Sequence, residues 1–374
     1  MHDSSVQAEM PDEEPVRSDF LQTTVVDTCI DRGVTAYQQG DLARAEKAFQ
    51  LAIELNPQST IAYSNLGLTL YRLGQYPEAI AAYQKVIALS PDDAEAYNNL
   101  GAALQRQGAL SEAIATYQKA VLLQPNNAKA YNNLGVALKE QGSLVEAIKV
   151  FRHAIQLNPQ DIRAYRNLGQ VLLKRGNPYE AVSAFMAVVR MNPQDSETWV
   201  SLGASLKQQG NLLGAVRAYT RAVRLNPQDG ESYYNLGLIF KEEGELDRAV
   251  ATFLETIRLN PQHEKAYRSL GEIYRIQSKV AAAISAYQKA LNLNPKSPEA
   301  HYGLGHVLDS QGNLAEAIAS YRQAVQLNPL FAEAHFNLGM ALQRQGRNQE
   351  SEMHLQRARD LFEDLKILEQ IKSE

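Results

Sequence analysis

The chain has 374 residues, 45% apolar and 21% charged, a globular composition whose length alone suggests two or three domains. Its net charge of −5 arises in residues 1–25, where Asp3, Glu9, Asp12, Glu13, Glu14 and Asp19 outnumber Arg17, and the neutral remainder lacks the clustered bases of a nucleic-acid binder. Cys29, the single cysteine, excludes an intramolecular disulfide framework; no apolar run nears the ~18 residues of a membrane span, and with no leader pattern a cytoplasmic location is expected.

Residues 1–25, with Pro11, Pro15 and few apolar anchors, are expected to be an acidic flexible tail. Such a tail is a candidate to fold back onto basic residues of the body and compete with an acidic ligand. Beyond it the chain is periodic. Nine of the fourteen prolines, from Pro57, Pro91 and Pro125 to Pro329, lie 34 residues apart without an insertion or deletion. A fixed period of that length marks an array of stacked repeats. With these prolines as position 32, full units start at Val26, Thr60, Ala94, Ala128, Ile162, Ser196, Gly230, Glu264 and Pro298. A divergent tenth starts at Ala332, giving an array over residues 26–365.

The unit Ala94 to Asn127 stands for the others. Apolar residues recur at three- and four-residue spacing through YNNLGAAL and again through AIATYQKAVLL, which predicts two amphipathic helices joined at Gly108. Glycine at that position 15 supplies the left-handed backbone of a helix end, and Ser278, the one exception, predicts a looser or differently capped turn. Glycine at position 8 is present in all ten units, inside the first helix, where each copy costs about 1 kcal/mol of propensity against alanine. Close approach of the partner helix through alanine at position 20 (Ala45, Ala79, Ala113, Ala147) is the expected compensation. Proline at position 32 ends the second helix. Past the last of them, residues 349–374 keep a helical pattern and are expected to form a capping helix, an end unit having one face toward water.

The set Tyr97, Leu100, Gly101, Leu104, Ala113, Tyr117, Ala120, Pro125 resembles the tetratricopeptide repeat consensus, and the match recurs in phase from residue 26 to about 360. The resemblance implies an all-α, right-handed superhelical solenoid of helix-turn-helix units. It also implies that first helices line a concave groove into which positions 2, 5, 6, 9, 12 and 13 point.

Within that groove, position 6 carries Asn65, Asn99, Asn133, Asn167, Asn235 and Asn337. A ladder of amides offers two donors and an acceptor per rung, the chemistry that grips the backbone of an extended peptide. It resembles the ladder in the repeat arm of O-linked N-acetylglucosamine transferase. The competing reading is that each amide bonds to its own or a neighbouring helix; asparagine is a poor helix former, so its recurrence calls for a reason. Positions 12 and 13 carry Arg72, Arg106, Lys139, Lys174, Lys207, Lys241, Arg275 and Arg344 against three acids. Such a rail favours acidic ligands, although bases in a helix's last turn also answer the macrodipole. No unit has the lysine and asparagine set that this family uses to clamp acidic C-termini.

His306 and Asp309 share one helix edge, with Glu272 at the same height one unit earlier; these are the weak candidates for a metal site in a chain otherwise expected to bind neither metal nor cofactor. No phosphate-binding loop, zinc-binding His-Glu-x-x-His or nucleophile elbow occurs. The expectation is a non-catalytic scaffold that binds a protein or peptide segment, with no nucleic acid and no direct membrane insertion, its oligomeric state open. Two alternatives remain: a substrate-targeting arm for a glycosyltransferase on a separate chain, and an assembly factor for a membrane or photosynthetic complex.

Overall fold

The computed structural model describes residues 14–373, with side chains described for residues 24–364. Among them are twenty α-helices and no strand, so the all-α expectation holds. By internal contacts the helices fall into two compact units, Met1–Pro193 and Gln194–Glu374. In the first, helices α1 (Glu14–Gln38), α3 (Thr60–Leu73), α5 (Ala94–Gln107), α7 (Ala128–Gln141) and α9 (Ile162–Lys174) lead their pairs. Their partners are α2 (Leu42–Leu55), α4 (Tyr76–Leu89), α6 (Leu110–Leu123), α8 (Leu144–Leu157) and α10 (Pro178–Met191). In the second, the leading helices are α11 (Ser196–Gln208), α13 (Gly230–Glu242), α15 (Glu264–Ile276), α17 (Pro298–Ser310) and α19 (Ala332–Arg344). They are followed by α12 (Leu212–Leu225), α14 (Leu246–Leu259), α16 (Val280–Leu293), α18 (Leu314–Leu327) and α20 (Asn348–Ser373).

The local chemistry sets these boundaries. Asp93 at the head of α5 accepts a hydrogen bond from the Ala96 amide, and Ser59, Asn127 and Asp161 do the same service for their helices. Asn56, before Pro57, is driven to φ −138° and ψ 90°, which ends α2. Gly108 closes α5 at φ 91°. Ser278 departs from expectation: it takes the same left-handed conformation at φ 57°, and its amide bonds the Arg275 carbonyl at 3.0 Å as the glycines' amides do in their turns. The turn is conserved in shape, and a side chain carries the strain that glycine would avoid.

The first helix opens at Glu14, inside the segment expected as a tail, whose Asp12 and Glu13 lie outside the described residues. Pro15 falls in the first turn, where a missing N–H breaks no helical bond, so it permits the helix instead of opposing it. At the other end α20 packs on α19, with Ala358 and Leu361 buried; Leu368 and Ile371 lie outside the described side chains.

Position 8 glycines answer to a different neighbour from the one expected. A Cβ on Gly101 would stand 2.8 Å from the ring of Tyr117, and one on Gly135 would stand 2.6 Å from Phe151. The aromatic at position 24 therefore lies flat on the glycine in every full unit, while the position 20 alanines, buried at 0% exposure from Ala45 to Ala317, let the helices come close enough for it. In the tenth pair Leu355 and the Ser351 carbonyl take the ring's place over Gly339.

Candidate peptide-binding surface

Leading helices touch their successors within each unit, α3 to α5 and α5 to α7 in the first and α15 to α17 and α17 to α19 in the second, which puts them on the inside of each stack. All six position 6 asparagines lie on this side at intermediate exposure, none of them buried.

Their hydrogen bonds differ. Asn133 donates to Asn98 Oδ1 at 2.9 Å, and Asn167 donates to Asn132 Oδ1 at 3.1 Å. Position 5, expected to face the groove, is thus packed between repeats: Asn98 and Asn132 are 4% and 5% exposed and receive the next unit's amide. Asn337 donates to Tyr302 Oη at 3.0 Å, the same diagonal with a phenol in place of the amide. Asn65 and Asn235 turn onto their own helices, donating to the carbonyls of Ile61 and Glu231 at 2.9 Å. Asn99 has no hydrogen-bond partner among the described residues. Each bonded rung keeps a second N–H, and those other than Asn167 keep Oδ1 as well.

The diagonal amides carry a prediction. Asn133→Ala leaves the buried Asn98 carbonyl oxygen without a donor, and an unsatisfied buried acceptor costs about 1–3 kcal/mol. Urea unfolding should show a loss in that range, and a neutral result would mean that the pair contributes nothing to the stack.

The basic positions lie in the last turns of their helices and are mostly engaged. Arg72 stacks over the Tyr37 ring at 4.8 Å, and Arg106 Nε donates to Tyr71 Oη at 3.3 Å. Lys139 reaches Asn167 Oδ1 at 3.4 Å and Gln170 Oε1 at 3.2 Å. Lys241 pairs with Glu272 at 2.6 Å, and Arg344 with Asp309 at 2.6 Å. Lys174 and Lys207 have no partner among the described residues. In the first unit Arg72, Arg106, Lys139 and Lys174 therefore keep their charge without a carboxylate bonded to any of them.

Around Arg106 the inner face sinks into a recess of about 530 Å³ lined by Tyr71, Ala102, Gln105, Asn133, Val136 and Glu140. Gln105 Nε2 donates to Glu140 Oε2 at 2.7 Å, and Tyr117 Oη donates to Gln105 Oε1 at 3.1 Å, so the wall is a fixed polar network. Burial pushes the Tyr117 phenol up from its ordinary value, and it stays a neutral donor. Leu68, Ala102 and Val136 at position 9 give the same face an apolar floor.

The metal candidates do not come together. Glu272 is turned to Lys241 and Asp309 to Arg344, and among the described residues no group of three or more His, Cys, Asp or Glu is placed to hold an ion.

Sequence profiles described as TPR repeat match residues 33–74, 69–108, 106–142, 137–176, 271–312 and 308–346. Profiles described as tetratricopeptide repeat match 166–230, 200–264 and 337–365. The chain belongs to the tetratricopeptide repeat family. This TPR chain is also similar to solved structures. MamA from Desulfovibrio magneticus RS-1 aligns at 25% identity over 46% of this chain and 96% of that one, with a TM-score of 0.44. YrrB, described as a TPR protein with an unusual peptide-binding site, aligns at 26% identity over 50% and 97%, with a TM-score of 0.45. Yeast Tom70 aligns at 16% identity over 91% and 92%, with a TM-score of 0.43. The family assignment rests on the repeat profiles and not on these superpositions. A search of curated proteins finds no match. Membership of the family suggests a protein-interaction scaffold. No helix among the described residues is long and apolar enough to cross a membrane.

Proposed function

We propose that this TPR chain is a non-catalytic scaffold that holds an extended segment of a partner protein against the inner face of its first unit. The observation that carries the reading is Asn99: a half-buried amide on the inner face, one rung from the 530 Å³ recess, with no side-chain hydrogen bond among the described residues. A peptide backbone offers a donor and an acceptor at every residue, and an amide can bond to both. Asn65, Asn133 and Asn167 extend the contact with their remaining groups, and Leu68, Ala102 and Val136 receive apolar side chains. In the second unit Asn235 and Asn337 repeat the arrangement, flanked by Lys207 and Lys241. The carboxylate-free Arg72, Arg106, Lys139 and Lys174 give the guest's preference an acidic bias. α20 serves as the cap of the last pair. One buried cysteine fits a reducing compartment such as the cytoplasm.

The test is a peptide-display selection on the immobilised full chain, followed by affinities of the selected peptides for Asn99→Ala and Arg106→Gln. Asn99→Ala removes no side-chain hydrogen bond found among the described residues, so the thermal midpoint should stay while affinity falls by roughly five-fold, the equivalent of about 1 kcal/mol for one hydrogen bond. Selected peptides that bind both variants as tightly as the parent chain would place the binding surface elsewhere.

A further inference from the structure

The second unit breaks the ladder at Gly303 on α17. A Cβ there would stand 2.4 Å from Tyr287 Cζ, so the Tyr287 ring, 3% exposed, fills the space where a rung would project. Beside it lies a recess of about 270 Å³ between α15 and α17, with Arg275, His306, Tyr302 and Phe331 among its walls.

Two groups in this recess lack the partners that their chemistry calls for. Arg275 lies beside Tyr287 in the lining of the recess and makes no ion pair among the described residues, leaving its five N–H donors available. The acids that would neutralise it are committed: Glu272, which also lines the recess, is held by Lys241 at 2.6 Å, and Asp309 is held by Arg344 at 2.6 Å. Glu299 lies exposed at the rim. His306 Nδ1 is buried with no hydrogen-bond partner, and burial, then the Arg275 charge, keeps the ring neutral. A neutral imidazole can carry its proton on Nδ1 and donate from there. Tyr302 and Phe331, with ring centroids 4.9 Å apart, supply an apolar wall.

A single anionic acceptor would satisfy both groups at once, and a carboxylate on a short apolar stem fits the walls and the volume. We propose that this recess receives one carboxylate group of the guest polypeptide, held by Arg275 and by His306 Nδ1–H. The inference rests on the scaffold reading above, but its site is separate from the first unit's ladder. The carboxylate has two possible sources, an acidic side chain or a chain terminus.

The experiment uses the full chain labelled with ¹³C-histidine, with the His306 resonance assigned through His306→Gln. Three probes are titrated: N-acetylglutamate α-amide, carrying only a side-chain carboxylate; N-acetylglutamine, carrying only a terminal one; and N-acetylglutamine amide, uncharged. Saturable movement of the His306 resonance with a carboxylate probe is expected, and the probe with the lower midpoint identifies the source. Arg275→Gln, checked for an unchanged thermal midpoint, should weaken the response roughly ten-fold or more, and Arg275→Lys should restore part of it. No saturable movement with either carboxylate, equal movement with the uncharged amide, or an unaltered response in Arg275→Gln would overturn the proposal. Asn99→Ala should leave the response intact, so a failure of the ladder and a failure of this pocket are read separately.

Discussion

Gly101→Ala is expected to destabilise the first unit by about 2 kcal/mol, although alanine is the better helix former. Propensity alone favours the change by about 1 kcal/mol. Against it stands a ring that cannot retreat: Tyr117 is 1% exposed, its hydroxyl is tied to Gln105 at 3.1 Å, and the new Cβ would lie 2.8 Å from Cδ1 and Cε1. Overpacking a core at such contacts costs about 1–3 kcal/mol and sometimes more, which outweighs the propensity gain. The measurement is the urea midpoint at constant slope. Gly101→Ala combined with Tyr117→Leu should recover part of the loss, because the branched side chain can vacate the space. A Gly101→Ala chain at least as stable as the parent would refute the ring-on-glycine account of this period.

Acidification is expected to loosen the last helix pair. His335, 8% exposed, stands at position 4 of α19 and contacts the Pro329 carbonyl at 3.3 Å through Nε2. Its Nδ1 meets His354 Nδ1 of α20 at 3.0 Å, a bond that needs one proton between the two nitrogens. Burial first, then the His354 charge and Arg357, holds His335 below the usual imidazole range. Burial also lowers His354, with Arg322 adding to it and Glu350 opposing. Both folded values lie below the unfolded one near 6.5, so the unfolded chain binds more protons as pH falls. The contribution is complete above about pH 6.5 and fades on descent toward the folded values, by at most about 1.4 kcal/mol per pH unit for each ring. Hydrogen-exchange protection factors in α20, which remove the intrinsic pH dependence of amide exchange, should therefore fall between about pH 7 and pH 5. His335→Tyr, which restores the residue type of most other units, should flatten that dependence; an unchanged profile would mean that the pair does not govern the cap.

The periodic skeleton was legible because each landmark has one local cause: proline stops a helix, glycine turns it, and the spacing counts the repeats. What escaped lay in contacts between units. The offset of sixteen residues from Gly101 to Tyr117 recurs along the sequence, yet alanine at position 20 looked a sufficient partner because helix pairs are usually judged by their small residues. The doublets Asn98–Asn99 and Asn132–Asn133 held a signal for the diagonal bonds, since a position 5 amide one unit before a position 6 amide is a donor and an acceptor in waiting. Nothing local marks the recess at Gly303. It exists because a side chain is missing at one place and two carboxylates are engaged at others, and such absences become visible only when the fold sets them side by side. Pro15 is ambiguous in sequence for a simpler reason: it breaks a helix interior but suits a helix start, and α1 begins beside it.

The diagonal bonds from Asn133 to Asn98 and from Asn167 to Asn132 also give the first unit a mechanical grain. They lie on the inner side and end on buried acceptors, whereas a tie on the outer side such as Arg152 to Glu180 is exposed and readily traded for solvent. Flexing that spreads the leading helices must stretch the amides; flexing that draws them together need not. By this geometry the first unit is expected to resist spreading of its leading helices more than their approach.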